Sequence, residues 1–145
     1  IGIDVSLDAL SWANRNRMTI APGVPVGLVR GHLISALSGP VDLVLANLPY
    51  LTPEQTDENP DLAAEPRSAL VSGADGLDLI RELIDDLPRV MADDGAAIFE
   101  IDPSQADVVA VLARETFPDA FVAIVDDLAR LARFVTLVLR KRDGE

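Results

Sequence analysis

Val41-Asp42-Leu43-Val44-Leu45-Ala46-Asn47-Leu48-Pro49-Tyr50 is an apolar run of strand length that ends in an amide, a proline-stiffened turn and an aromatic ring. Gly39-Pro40 punctuates its entry, so Val41 to Ala46 is expected as the best strand of the first half, with Asn47 at its carboxyl end. Upstream, Ile1 to Val5 reads as a short strand and Ser6 as the cap of a helix over Leu7 to Arg17, with Asp8 in its first turn. Ala21-Pro22-Gly23-Val24-Pro25 breaks the chain, Val26 to Arg30 is a weaker strand candidate, and Gly31-His32 is a turn.

Downstream, the segment from Asn47 to Ser72 carries Pro49, Pro53, Pro60 and Pro66 without periodicity, which is expected as a long loop; such loops in compact domains are usually functional or disordered. Leu77, Ile80, Leu83, Ile84, Leu87 and Met91 recur at helical spacing, predicting a helix from Asp75 or Gly76 to about Ala92. Pro88 kinks or ends its regular hydrogen bonding. Asp93-Asp94-Gly95 is expected as a turn into a strand over Ala96 to Ile101. Asp102 then caps a helix with Pro103 at its first position and Val109, Leu112, Ala113 and Thr116 on its inner face. Pro118 closes that helix. Strands follow over Phe121 to Val125 and Phe134 to Leu139, and Arg140-Lys141-Arg142 reads as a solvated strand end.

Strands alternating with helices imply βαβ units in an α/β fold, a mainly parallel sheet with helices on both faces. In such sheets ligands sit beyond the carboxyl ends of the strands. Here those ends fall at Asp4, Gly31-His32, Asn47 and Glu100.

Composition narrows the chemistry. The 145 residues are 49% hydrophobic, enough for one globular domain with a real core. Cysteine is absent and His32 is the single histidine, which leaves neither disulfides nor the ligands of a zinc site, so no metal is expected. No apolar run approaches the roughly 20 residues of a membrane span, and a cytoplasmic location is the default. A formal charge of -12 disfavours binding a phosphate backbone, because polyanion affinity comes largely from Lys and Arg. A protein or small-molecule substrate fits better.

The Asn47 amide oxygen and the Leu48 carbonyl can accept both hydrogens of a substrate NH2 group, leaving its nitrogen directed at an electrophilic methyl, while Tyr50 stacks on the flat substrate. Fixed acceptors aimed at a nitrogen that gains positive charge help the transition state more than the ground state. The same four residues also make an ordinary turn. Asp4 closes a strand where an acidic side chain accepts hydrogen bonds from ribose hydroxyls, and equally where it serves the amino terminus of the next helix. Glu100 and Asp102 are a possible carboxylate pair, but Asp102 already has a capping role.

Together these stretches resemble the HemK/PrmC-type methyltransferases, which use S-adenosylmethionine to methylate the glutamine amide of peptide-chain release factors. Ile3-Asp4-Val5-Ser6-Leu7-Asp8-Ala9-Leu10 is similar to the family's second strand and turn. Asn47-Leu48-Pro49-Tyr50 is similar to its Asn-Pro-Pro-Tyr catalytic loop, with Leu48 in place of the first proline. Glu65-Pro66-Arg67-Ser68-Ala69-Leu70 and Gly73-Ala74-Asp75-Gly76-Leu77-Asp78 resemble the stretch after that loop. This last match separates the glutamine-modifying family from most adenine methyltransferases. The resemblance implies a Rossmann-like sheet, a catalytic loop of Asn47, Leu48, Pro49 and Tyr50, and a cofactor site that includes Asp4, Val5, His32 and Asn47. His32 stands where the family tends to have Asp near the adenine.

The resemblance covers Ile1 to about Arg142, the carboxyl-terminal two-thirds of a catalytic domain. The family's first strand and glycine-rich loop lie upstream of it. The chain is therefore expected to be a fragment, or to have a neighbouring chain covering the central gap, and to be inactive in isolation. Protein glutamine methylation, on a release factor as partner, is the leading expectation. Adenine-N6 methylation of nucleic acid and a non-catalytic remnant are the alternatives, the first supported by the short loop alone and the second by Leu48 and His32.

Overall fold

A computed structural model describes residues 1–140, which form two compact units, Ile1–Ser38 and the part that begins at Gly39. Lys141 and Arg142 of the basic strand end lie outside the described residues.

The first unit holds strand β1 (Gly2–Asp4), helix α1 (Leu7–Ile20) and strand β2 (Leu28–Arg30), with β1 and β2 parallel and Ile3 opposite Val29. Ser6 caps α1 as expected, its side chain accepting from the Ala9 amide, and Asp8 sits in the first turn. The helix runs three residues past Arg17, which stays helical and receives the Ala21 amide on its carbonyl at 3.0 Å.

The second unit carries strand β3 (Val41–Ala46), helices α2 (Pro53–Asp57) and α3 (Asp78–Asp86), strand β4 (Met91–Glu100), helix α4 (Ala106–Thr116) and strands β5 (Phe121–Asp126) and β6 (Ala132–Val138). The strands form one sheet in the order β3-β4-β6-β5, so β3 is hydrogen-bonded on one side only among the described residues. β3 and β4 are parallel; β6 runs antiparallel between β4 and β5. A tight turn imposes that reversal. Asp127 accepts the amides of Ala129 at 2.8 Å and Leu131 at 3.1 Å, while Arg130 takes a left-handed φ of 62°. A turn this short returns the chain only antiparallel.

One face of the sheet makes the core. Phe99 lies opposite Val135 and Ala97 opposite Leu137, all fully buried. α3 contributes Ile80, Leu83 and Ile84, and α4 contributes Ala106, Val109, Ala110 and Ala113. The inner face of α4 thus includes Ala110 and only partly Leu112 and Thr116. On β3, Leu43 and Leu45 remain more than half exposed.

The end of α3 and the start of β4 differ most from expectation. The apolar repeat through Met91 is helical only to Asp86, because Pro88 sits in a following 3-10 turn (Leu87–Arg89) and the chain enters β4 at once. Asp93-Asp94-Gly95 does not separate elements but lies within β4. Val41 faces Met91 and Leu43 faces Ala96, so two steps along β3 match five along β4. The extra residues bulge out of the ladder. The Pro-rich segment after Asn47 is also more ordered than its lack of period suggests. Thr52 and Gln55 form a capping box on α2 with Pro53 at the first position, and 3-10 turns follow at Pro60–Ala64 and Arg67–Ala69. No helix is long and apolar enough to cross a membrane among the described residues.

Candidate active site

Asn47 follows β3 directly, and the β3–β4 pairing carries Ala46 to Phe99, so the chain leaves the sheet here at the carboxyl end of a parallel pair. Asn47 is exposed, and its carboxamide makes no hydrogen bond among the described residues. The Leu48 carbonyl likewise accepts none. Two acceptors one residue apart are therefore open to a ligand with paired donors. Leu48, Pro49 and Tyr50 are half-buried, and Pro49 holds Leu48 away from helical geometry.

The far end of this loop is tied down. The Leu51 amide donates to Leu70 at 2.9 Å and the Ser72 amide to Leu51 at 3.2 Å, a parallel bridge between Leu51 and Val71. Beyond it, Gly73 and Gly76 adopt φ of 74° and 76°, values that glycine reaches without steric cost. The Ser72 side chain, itself buried, accepts the Leu79 amide at 2.9 Å. Asp75 accepts the Leu77 amide and a forked pair of bonds from Arg81, at 3.0 and 2.6 Å. The Arg81 hydrogen bond, then those from backbone amides, hold its carboxyl below the usual carboxylate range. Earlier in the segment, Arg67 pairs with Asp57 at 2.6 Å on the surface.

Gln105 joins these pieces. Its side chain, 6% exposed, donates to the carbonyls of Tyr50 at 2.8 Å and Asp75 at 3.2 Å and accepts the Asp102 amide at 3.1 Å. Sequence reasoning missed it. The signal was present, since Asp102-Pro103-Ser104-Gln105 has the spacing of a capping box, and that box is formed. Asp102 is spent on it, accepting the Ser104 amide at 2.9 Å and the Ser104 hydroxyl at 2.5 Å, which leaves no acid-base pair with Glu100.

In the first unit, Asp4 ends β1. One carboxylate oxygen accepts the Ser6 amide at 2.7 Å, and the other takes no hydrogen bond among the described residues. Both readings of this residue are thus compatible: one oxygen serves the helix start and one is open. Val5 follows it, with its carbonyl accepting Arg30 Nε at 3.1 Å. His32 stands after β2 at the corresponding carboxyl end, its carbonyl accepting both the amide and the hydroxyl of Ser35, at 3.1 and 2.6 Å. Asp4, Val5 and His32 belong to the first unit, and Asn47 to Tyr50 to the second.

A cavity of about 450 Å³ lined by Asp93, Phe117, Asp119 and Arg140 opens at the other end of the sheet, where β5 begins and β6 ends. Its lining includes none of Asn47 to Tyr50. Among the described residues no three His, Asp or Glu side chains group as a metal site would need.

No protein-family model matches the chain. Over 133 residues it is 36% identical to the release factor glutamine methyltransferase of Deinococcus radiodurans, an alignment covering 91% of this chain and 46% of that protein. It is 32% identical to the protein of the same name from Corynebacterium glutamicum, covering 92% and 49%. To the ribosomal protein uL3 glutamine methyltransferase of Xanthomonas campestris it is 34% identical, covering 80% and 38%. The chain thus spans about half the length, or less, of the curated relatives it matches. Among solved structures, a methyltransferase from Pyrococcus furiosus superposes with a TM-score of 0.66 at 13% identity, over 94% of this chain and 60% of that one. A ribosomal protein L11 methylase from Lactobacillus delbrueckii superposes at 0.60 with 18% identity, over 96% and 55%. At those identities the likeness establishes the fold alone, a Rossmann-like α/β architecture.

Proposed function

This chain is a sequence relative of the HemK/PrmC-type glutamine methyltransferases, and on that footing we propose that the protein carrying it transfers a methyl group to the side-chain amide nitrogen of a glutamine in a protein of the translation machinery. The observation that carries the reading is the open pair of acceptors, the Asn47 carboxamide and the Leu48 carbonyl, at the end of β3 in a chain with this kinship. A primary amide presents two hydrogens. Accepting both turns its nitrogen toward the incoming carbon and holds the plane of the group.

S-adenosylmethionine is the methyl donor in this reading, and supplies a carbon made electrophilic by an adjoining sulfonium. The residues here fit it in part. The open oxygen of Asp4 would accept from ribose hydroxyls, with Val5 beside it and His32 at the adenine side. The carbon–nitrogen bond would form as the carbon–sulfur bond breaks and a neutral thioether leaves, so the amide nitrogen becomes positive and sheds a proton to solvent. Asn47 and Leu48 oppose that charge with fixed dipoles, so no strong base is needed. Tyr50 would cover the flat amide.

The relatives' names point to two protein substrates, a release factor and ribosomal protein uL3. A charge of -12 on this chain favours a protein over a nucleic-acid substrate. The test is single-turnover methylation by the full-length protein of a release factor bearing Gly-Gly-Gln, of uL3, and of an adenine-containing oligonucleotide. Transfer to the oligonucleotide alone would move the protein to the adenine class. Transfer to none of them by a donor-bound protein would make it a remnant.

A further inference from the structure

We infer that Gln105 is a positioning residue for the Asn47–Tyr50 loop, acting through the Tyr50 carbonyl; this rests on the methyl-transfer reading above. Four observations converge on it.

First, all the hydrogen-bonding capacity needed to fix its amide is used. One donor reaches Tyr50, another Asp75, and the oxygen takes the Asp102 amide, so the group is held from three sides and cannot rotate without losing bonds. Secondly, Gln105 is buried and Tyr50 half-buried, so a Tyr50 carbonyl deprived of this donor is only partly recompensed by water and the loop gains by moving. Thirdly, the backbone around it is cleared for this contact. A Cβ at Gly76 would lie 2.6 Å from Gln105 Nε2, so only glycine leaves room for the amide against Tyr50. Fourthly, Gln105 begins α4, whose Val109 and Ala113 are anchored in the core. The loop is thereby referenced to the rigid sheet-and-helix body. Asn47 and Leu48 lie within three residues of the pinned carbonyl, so an error there propagates to both acceptors.

The experiment uses the full-length protein with carbonyl-13C tyrosine and 15N leucine, which selects the Tyr50–Leu51 peptide bond of this chain. In the Gln105→Met variant, close in volume but without donors, the Tyr50 carbonyl signal should shift upfield as its hydrogen bond is lost. Single-turnover methyl transfer should fall by about 10-fold to 10²-fold, the scale of a misplaced reacting group, with methyl-donor affinity changed less than about twofold. Gln105→Glu places a carboxylate against two carbonyl oxygens, and should be slow at neutral pH and recover in part on acidification as one O–H donor returns. A purely structural role would move stability but leave the split between rate and donor affinity, and the acid recovery of rate, unseen.

If Gln105→Met proves too unstable to study, slow exchange of the Gln105 side-chain NH2 protons relative to those of exposed Gln55 in the unsubstituted protein supports the latch, and equal exchange overturns it. A shifted carbonyl with unchanged transfer rate overturns the positioning role. Should the unsubstituted protein methylate no glutamine, the functional reading falls, while the Tyr50 signal still decides whether Gln105 holds the loop.

Discussion

Gly76 lies so close beneath Tyr50 that a Cβ on it would overlap the Tyr50 carbonyl oxygen. Its φ of 76° is a second, independent demand for glycine. Gly76→Ala should therefore destabilise the protein by at least about 1–2 kcal/mol from the left-handed backbone alone, with the collision adding to it. Urea unfolding followed by circular dichroism measures this, and an unchanged midpoint would mean that the loop packs otherwise.

The next expectation concerns chemistry. Removing the open carboxamide in Asn47→Ala should slow single-turnover methylation of a glutamine substrate by about 10²-fold or more, the scale seen when a preorganised polar partner is deleted. Because Asn47 is exposed and unbonded among the described residues, stability should hardly change. A rate within a few-fold of the unsubstituted protein would remove Asn47 from the site.

Asp4 separates into two roles, one per oxygen. Asp4→Asn keeps an acceptor for the Ser6 amide and drops the charge, whereas Asp4→Ala loses both. Calorimetric titration of the full-length protein should show S-adenosylmethionine binding weakened by about tenfold or more in each, as expected for a lost hydrogen bond to a charged group. Only Asp4→Ala should also reduce the helical signal of α1. Equal affinity in all three proteins would leave Asp4 as a helix-start residue.

Acid should loosen the Ser72–Asp78 segment through Asp75. Its carboxyl is held low chiefly by Arg81, so the folded pKa lies below the unfolded value of about 3.9. The stability this contributes is present above the unfolded pKa and is lost as pH falls through the folded one. Asp75→Asn should accordingly lower the urea midpoint at pH 7 and flatten its decline below about pH 4. Since Asp75 and Arg81 are both well exposed, the effect should be modest and should shrink in high salt.

How far the sequence could be read depended on whether the signal was local. Ser6 as a cap and Val41 to Ala46 as a strand rest on residues that act on their own neighbours, and both are found with those bounds. The start of β4 was illegible because Leu87 and Met91 extend the helical period of α3 by chance, and only pairing with Val41 makes Met91 a strand residue. The order in the Pro-rich segment was half legible: Thr52-Pro53-Glu54-Gln55 carries a cap, a proline and a box partner, but a five-residue helix shows no period. Within the site, Asn47 was visible because strand, amide and proline are contiguous. Gln105 was legible only as the partner of Asp102 in a capping box; its contact with Tyr50 spans 55 residues, and no local pattern encodes that contact.

The unpaired side of β3 has a consequence for handling the molecule. Among the described residues, a row of amides and carbonyls along Val41–Ala46 has no strand partner, and with exposed Leu43 and Leu45 on the same strand it is a template onto which a strand of another molecule can add. Asp42 is the only charge on that strand, and a charge on an open strand edge disfavours self-association. Light scattering at rising concentration should climb earlier for Asp42→Val than for the unsubstituted chain; identical curves would show that the seam is closed by something else. High salt, which screens the repulsion between molecules of charge -12, would then bring on that association at lower concentration.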